Sequence, residues 1–142
     1  MANAITSFEG EYRFLSNFYN APVKYDGMYF LNNEAAFQAA KTTDMVAREA
    51  FTTMNPSEAK KAGRRVNLRP DWEDIKGDVM FEVCMDKFSM NPLLKRALLK
   101  TGDAHLEEGN TWGDKIWGTV NGVGENRLGK TLMRVREILS EG

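Results

Sequence analysis

The chain has 142 residues, 42% of them hydrophobic, which is the size and apolar content of one domain around one core. Its 20 acidic residues against 19 basic ones leave a net charge of -1, which excludes a protein held to nucleic acid chiefly by counterion release and allows only a local basic patch. A lone cysteine, Cys84, excludes an internal disulfide, and no run approaches the ~18 apolar residues of a membrane span.

The opening stretch MANAITSFEGEY has neither a basic start nor an apolar block of signal-peptide length, so the protein is expected to be cytoplasmic, with no membrane partner. "VKYDGMYF" predicts a short hairpin from Val23 to Phe30, because Asp26-Gly27 supplies the turn between aromatic and β-branched flanks. Asn32 and Asn33 can then cap a helix. In "EAAFQAAK", Ala36, Phe37 and Ala40 form one stripe, while Glu34, Gln38 and Lys41 form another at i, i+4 and i+7. Asp44 is expected to open a second helix, and Pro56 with Ser57 a third running into "KKAGRR". After Pro70 a longer helix carries Ile75, Val79, Met80, Val83 and Cys84 toward the core, despite Gly77. Pro92 ends or restarts it. "LLKRALLK" repeats the pattern, and a terminal helix uses Leu128, Leu132, Val135 and Leu139. The sum is a mainly α protein with one small hairpin and minor strands, read as a single domain over residues 1–142.

"GENRLGKT", Gly124 to Thr131, satisfies the phosphate-loop expression, yet no alternation of strand and helix precedes it and only eleven residues follow. A weaker use is open beside a plain one: backbone N–H groups of a glycine-rich helix start can hold phosphate, or the glycines merely shape a turn with Asn126 as cap. With one histidine, His105, and no paired cysteines, no metal or other cofactor is implied. The remaining chemistry lies in carboxylates, tryptophans and basic side chains. Glu34 falls in a first helical turn, where the dipole favours its ionised form, as it would for an ordinary first-turn glutamate. Trp72 stands at a helix start, while Trp112 and Trp117 bracket Asp114 in "EGNTWGDKIWG". Each tryptophan is a core filler or a platform for a planar base, and Asp114 a turn former or a carboxylate beside a stacked ligand. Arg64, Arg65 and Arg69 form a solvated basic face or forks for phosphate oxygens.

Taken in order, "FLSNFY" at Phe14 to Tyr19, "PVKYDG", "NEAAFQAAK", "GRRVNLRPDW", "VMFEVCMDKF", "LEEGNTWGDKIWG" and "NRLGKTLMRVR" at Asn126 to Arg136 resemble the NADAR superfamily, the YbiA-like proteins, over nearly the whole chain. The resemblance implies a compact, orthogonal, mainly α-helical assembly and N-glycosidase activity. The substrates it implies are phosphoribosyl-amine intermediates of riboflavin synthesis or ADP-ribosylated guanine in nucleic acid, with no obligate protein partner. Carried over by motif, Glu34 and Asp114 are the expected catalytic acids. Trp72, Trp117, Gln38, Lys41, Arg64, Glu108 and Asn126 are the expected substrate-binding residues. Glu108 sits one residue further from Asp114 than in the E-A-S-P-Y-D form of some members, which makes Glu107 its alternative. Cleaving a ribosyl C–N bond passes through an oxocarbenium-like state that such acids would stabilise. The competing expectation is a non-catalytic ADP-ribose or NAD-binding module, which would keep the tryptophans and tolerate loss of the acids.

Overall fold

The computed structural model describes residues 4–142; the first three residues of the stretch read for a signal peptide, and of the domain expected over 1–142, lie outside them. The elements are β1 (Ala4–Ile5), β2 (Asn20–Tyr25), β3 (Met28–Asn32), α1 (Asn33–Ala39), α2 (Met45–Ala50), α3 (Pro56–Gly63), α4 (Trp72–Ser89), α5 (Pro92–Lys100), β4 (His105–Leu106) and α6 (Arg127–Ser140). The protein is mainly α with a small antiparallel hairpin, as its sequence predicts. No helix among the described residues is long and apolar enough to cross a membrane.

Contacts group the described residues into two compact units, one of residues 17–87 and one that joins residues 4–16 to 88–142. In the central unit, β2 and β3 pair in the register Val23↔Phe30 and Tyr25↔Met28. Asp26 and Gly27 take φ of 49° and 84°, the left-handed pair that a tight turn between twisted strands requires. The hairpin extends past the expected Val23–Phe30, with an irregularity between Asn20 and Val23. Helix α1 follows β3 without a loop: Asn32 stays extended, and its Oδ1 accepts the N–H of Ala35 at 2.7 Å. Every residue of α1 is buried. Ala35, Ala36 and Ala39 keep its girth small, which lets the hairpin and α3 pack closely against it. Asp44 caps α2 as expected, and Asn55 caps α3 through a reciprocal bond with Glu58, one residue before the predicted start.

In the other unit, β1 and β4 form a parallel pair, Ala4↔His105 and Ile5↔Leu106, that links the two chain segments. Phe14 meets Phe88 edge to face at 6.4 Å. Helix α6 buries Leu128, Leu132 and Val135 on the predicted stripe, and Arg136 Nη1 donates to Thr101 Oγ1 at 2.9 Å, tying α6 to the end of α5. Leu139, read for the same stripe, is only partly buried.

Candidate active site

Glu34, Gln38, Lys41, Arg64 and Trp72 belong to the central unit; Glu108, Asp114, Trp117 and Asn126 belong to the other. Each group has its own construction.

Glu34 is the second residue of α1, and its side chain is 8% exposed. The backbone N–H of Glu34 donates to Asn17 O at 3.1 Å. Next to it, Asn33 Nδ2 donates to Asn17 Oδ1 at 3.0 Å and lies 3.4 Å from Cys84 Sγ on α4. These bonds anchor the start of α1 from the "SNFY" segment and from α4. One turn on, Gln38 Nε2 donates to Glu34 Oε2 at 2.6 Å, a short bond of the charge-assisted kind. Gln38 Oε1 is buried and accepts nothing. It lies against Gly63 of α3, where an added Cβ would overlap it. The predicted stripe of Glu34, Gln38 and Lys41 is therefore real, but its first two members face protein rather than solvent.

Lys41 is partly buried beyond the end of α1. Burial lowers the pKa of its ammonium; the negative charge of Glu34 opposes that shift, and Arg64 and Lys76 reinforce it. Glu34, Arg64 and Lys76 thus all lie within electrostatic reach of Lys41. Lys41 Nζ lies 5.9 Å from the Trp72 ring centroid, and the same ring meets Phe37 edge to face at 5.0 Å. Trp72 is 5% exposed, so it walls this region from within. Arg69 differs from Arg64: its guanidinium forks onto Asp71, at 2.7 and 3.2 Å, and its backbone N–H donates to Lys41 O. That fork occupies Arg69 and depresses the Asp71 pKa. A cavity of about 480 Å³ elsewhere in this unit is lined by Tyr25, Arg48, Arg69 and Glu82, but both of its guanidinium groups already pair with carboxylates.

In the other unit, Asp114 acts on its own loop. Its Oδ1 accepts the N–H groups of Ile116 and Trp117 at 3.0 and 2.9 Å, an Asx turn that sets the direction of the chain. Asn110 clamps the same residue, accepting from Asp114 N and donating to Asp114 O. Trp117 is partly buried with the Arg127 guanidinium 5.1 Å from its ring centroid, while Trp112 is 61% exposed. Asn126 adopts the left-handed conformation (φ 51°) at the start of α6, yet its side chain does not cap that helix. It donates to Leu106 O and accepts from Glu108 N, so both ends of the carboxamide hold β4 and the segment after it. Glu107 Oε2 accepts from Thr119 Oγ1 at 2.5 Å, and that bond, with a smaller contribution from His105, lowers its pKa.

The anion cradle considered for "NGVGENRLG" does not form. The backbone N–H groups of Glu125, Asn126, Arg127 and Leu128 donate to the carbonyls of Lys115, Gly118, Ile116 and Trp117. Gly129 is small because Leu106 O and the Asn126 side chain approach it, not because a phosphate does. The glycines shape a turn, and the tryptophan loop is strapped along it. The motif reading missed Asn17, Gly63 and Asn110, and took Asn33 only as a cap, because their roles depend on partners distant in sequence or on the shape of a loop.

The NADAR domain model matches residues 6–140. Over 138 residues the chain is 38% identical to the N-glycosidase YbiA of Escherichia coli, covering 94% of this chain and 86% of that protein. It is 35% identical to an N-glycosidase of Nostoc punctiforme, over 89% of this chain and 85% of that one. A riboflavin biosynthesis protein of Vibrio vulnificus is 36% identical over 90% of this chain but only 36% of its own length. The solution structure of E. coli YbiA superposes with a TM-score of 0.86 at 36% identity, covering 99% of this chain and 88% of that one. With matched motifs, fold and length, this chain belongs to the NADAR domain family.

Proposed function

We propose that this N-glycosidase hydrolyses the bond between the anomeric carbon of a phosphorylated ribose, or of ADP-ribose, and the nitrogen of a base. The observation that carries the reading is a buried carboxylate, Glu34 on α1, whose charge is felt by Lys41, a lysine that Arg64 and Lys76 also act upon. An anion near the sugar stabilises positive charge as the C–N bond breaks, and nearby cations attract phosphate. In the balanced reaction, the electrons of the C–N bond leave with the base nitrogen. Water adds its oxygen to the anomeric carbon, and the water proton passes to Glu34 and then to the departing base.

Asp114 is the second acid of the proposal. Its Oδ1 is engaged by the loop, and no hydrogen bond to Oδ2 is formed among the described residues, which fits that oxygen for a ribose hydroxyl. Trp72 or Trp117 is assigned to the base, with stacking worth ~1–3 kcal/mol where a ring is reached. Glu108, Gln38 and Asn126 support the binding region, the last through the backbone it ties down.

Two substrate classes meet this description: ribosylaminopyrimidine phosphates of riboflavin synthesis, favoured by the name of the Vibrio relative, and ADP-ribosylated guanine in nucleic acid. The protein acts on either as a cytoplasmic enzyme without cofactor. Mass-spectrometric assay of wild type, Glu34→Gln and Asp114→Ala on one representative of each class tests the proposal. Release of free base by wild type alone supports it and selects the substrate; tight ADP-ribose binding by all three proteins without turnover replaces it with the binding-module reading.

A further inference from the structure

We infer that Gln38 is a positioning residue for Glu34, and that Gly63 is the steric lock that holds Gln38 in place. The inference rests on the assignment of Glu34 as the acting carboxylate.

Gln38 is 6% exposed, and its two amide ends are treated very differently. Nε2 reaches Glu34 Oε2 at 2.6 Å, whereas Oε1 has no donor at all. A buried carbonyl oxygen without a partner is unfavourable, and a residue kept only for packing would avoid it as leucine or methionine. Turning the amide over would not help, because an ionised carboxylate can only accept. The orientation is therefore dictated by Glu34, and the unsatisfied oxygen is its consequence.

That oxygen is aimed at Gly63, the last residue of α3. A Cβ there would collide with Oε1 and with Cδ of the same amide. Gly63 has ordinary helical φ, so no turn conformation demands a glycine. Alanine would ordinarily favour a helix at such a position, and only the approach of Gln38 explains the smaller residue. Helix α3 thereby backs the amide on one side, with the Glu34 carboxylate of α1 on the other. One of two equivalent Glu34 oxygens is held, so rotation of the carboxylate is restrained and Oε1 of Glu34 keeps a defined direction. Misplacing a reacting group by about an ångström is enough to lose ~10²-fold in rate, so a restraint of this kind acts on turnover.

The test compares Gln38→Met, Gly63→Ala, their combination and Glu34→Gln with wild type, on ribosylaminopyrimidine phosphate and on an ADP-ribosylated guanine oligonucleotide. Side-chain amide resonances of Gln38 and Asn32 are followed by NMR. Gln38→Met and Gly63→Ala are each expected to lower kcat roughly 10–100-fold with KM within about threefold, and their combination no further than the worse of the two. In Gly63→Ala the Gln38 amide pair should shift while that of Asn32 stays in place. Gln38→Met fills the same volume, so it decides the matter should the alanine variant misfold. A Gly63→Ala protein with wild-type kcat and an unmoved Gln38 amide, beside an inactive Glu34→Gln, overturns the positioning role alone. Full turnover by Glu34→Gln removes the assignment of Glu34 and the positioning role with it.

Discussion

Helix α1 and the loop from Glu108 to Gly118 each present an acid, and they do so by opposite means. Glu34 rides on a regular element whose whole length is buried, and its carboxylate is oriented by a side chain one turn away. Asp114 sits where no regular element exists, and its own carboxylate builds the turn it occupies. The difference teaches that the carboxylate can be changed without touching the backbone at Glu34 but not at Asp114, whose carboxylate is part of the turn. Replacing Glu34 by its amide leaves the helix standing, whereas replacing Asp114 alters the acid and the loop together.

The sharpest way to break the comparison is Glu34→Gln. Its turnover should fall by about 10²–10⁴ while thermal unfolding stays near that of wild type, because the backbone bonds of α1 are untouched. A protein that unfolds at much lower temperature would instead place Glu34 among the groups that hold the fold, as checked by calorimetry beside the activity assay.

The surroundings of α1 offer a second handle. Lys87 on α4 is fully buried, with its Nζ 5.6 Å from the Tyr19 ring centroid; burial lowers its pKa from 10.5 to about 8, and Cys84 opposes the shift. A folded pKa below the unfolded one means that the folded state resists the proton. The penalty is therefore full below about pH 8 and fades as pH rises towards 10.5. Lys87→Met should raise the urea midpoint at pH 7 and lose that advantage by pH 10.5. An equal gain at both pH values would show that packing, not charge, is responsible.

On the loop side, Asp114→Ala and Asp114→Asn separate the two roles. Alanine leaves the Ile116 and Trp117 N–H groups without their acceptor and should cost about 1–3 kcal/mol; asparagine keeps an acceptor and should cost much less. Both should lose turnover. An asparagine variant with full turnover would falsify the assignment of Asp114 to chemistry and leave it the turn alone. The smallest effect expected is from Asn32→Ala, which removes the N-cap of α1 and the bond to Met54 O; about 1 kcal/mol in denaturant unfolding is anticipated, with little change in kcat.

Much of this was legible in the chain because the signals are local. Asp26-Gly27 between alternating apolar residues specifies a hairpin, and Asn32 before a run of alanines specifies a helix start. The phosphate-loop expression misled for an equally plain reason: a spacing of glycines does not say which carbonyls their N–H groups will meet. Here the answer was the neighbouring tryptophan loop, whose carbonyls from Lys115 to Gly118 take those N–H groups from no more than eleven residues away. Asn126 illustrates the same point, since a residue in cap position turned its side chain to β4 instead.

The sequence by itself determined the helical stripes, the hairpin turn, the helix caps and the ordered motifs that mark the family, because each depends on residues within a few positions of one another. Only the tertiary structure decided that the stripe of Glu34 and Gln38 is buried, that Asn17 and Cys84 bracket its start, and that Gly63 must lack a side chain. Those facts depend on which surfaces meet across 16 to 51 residues of chain, and burial takes an ordinary first-turn glutamate out of water beside the amide that orients it.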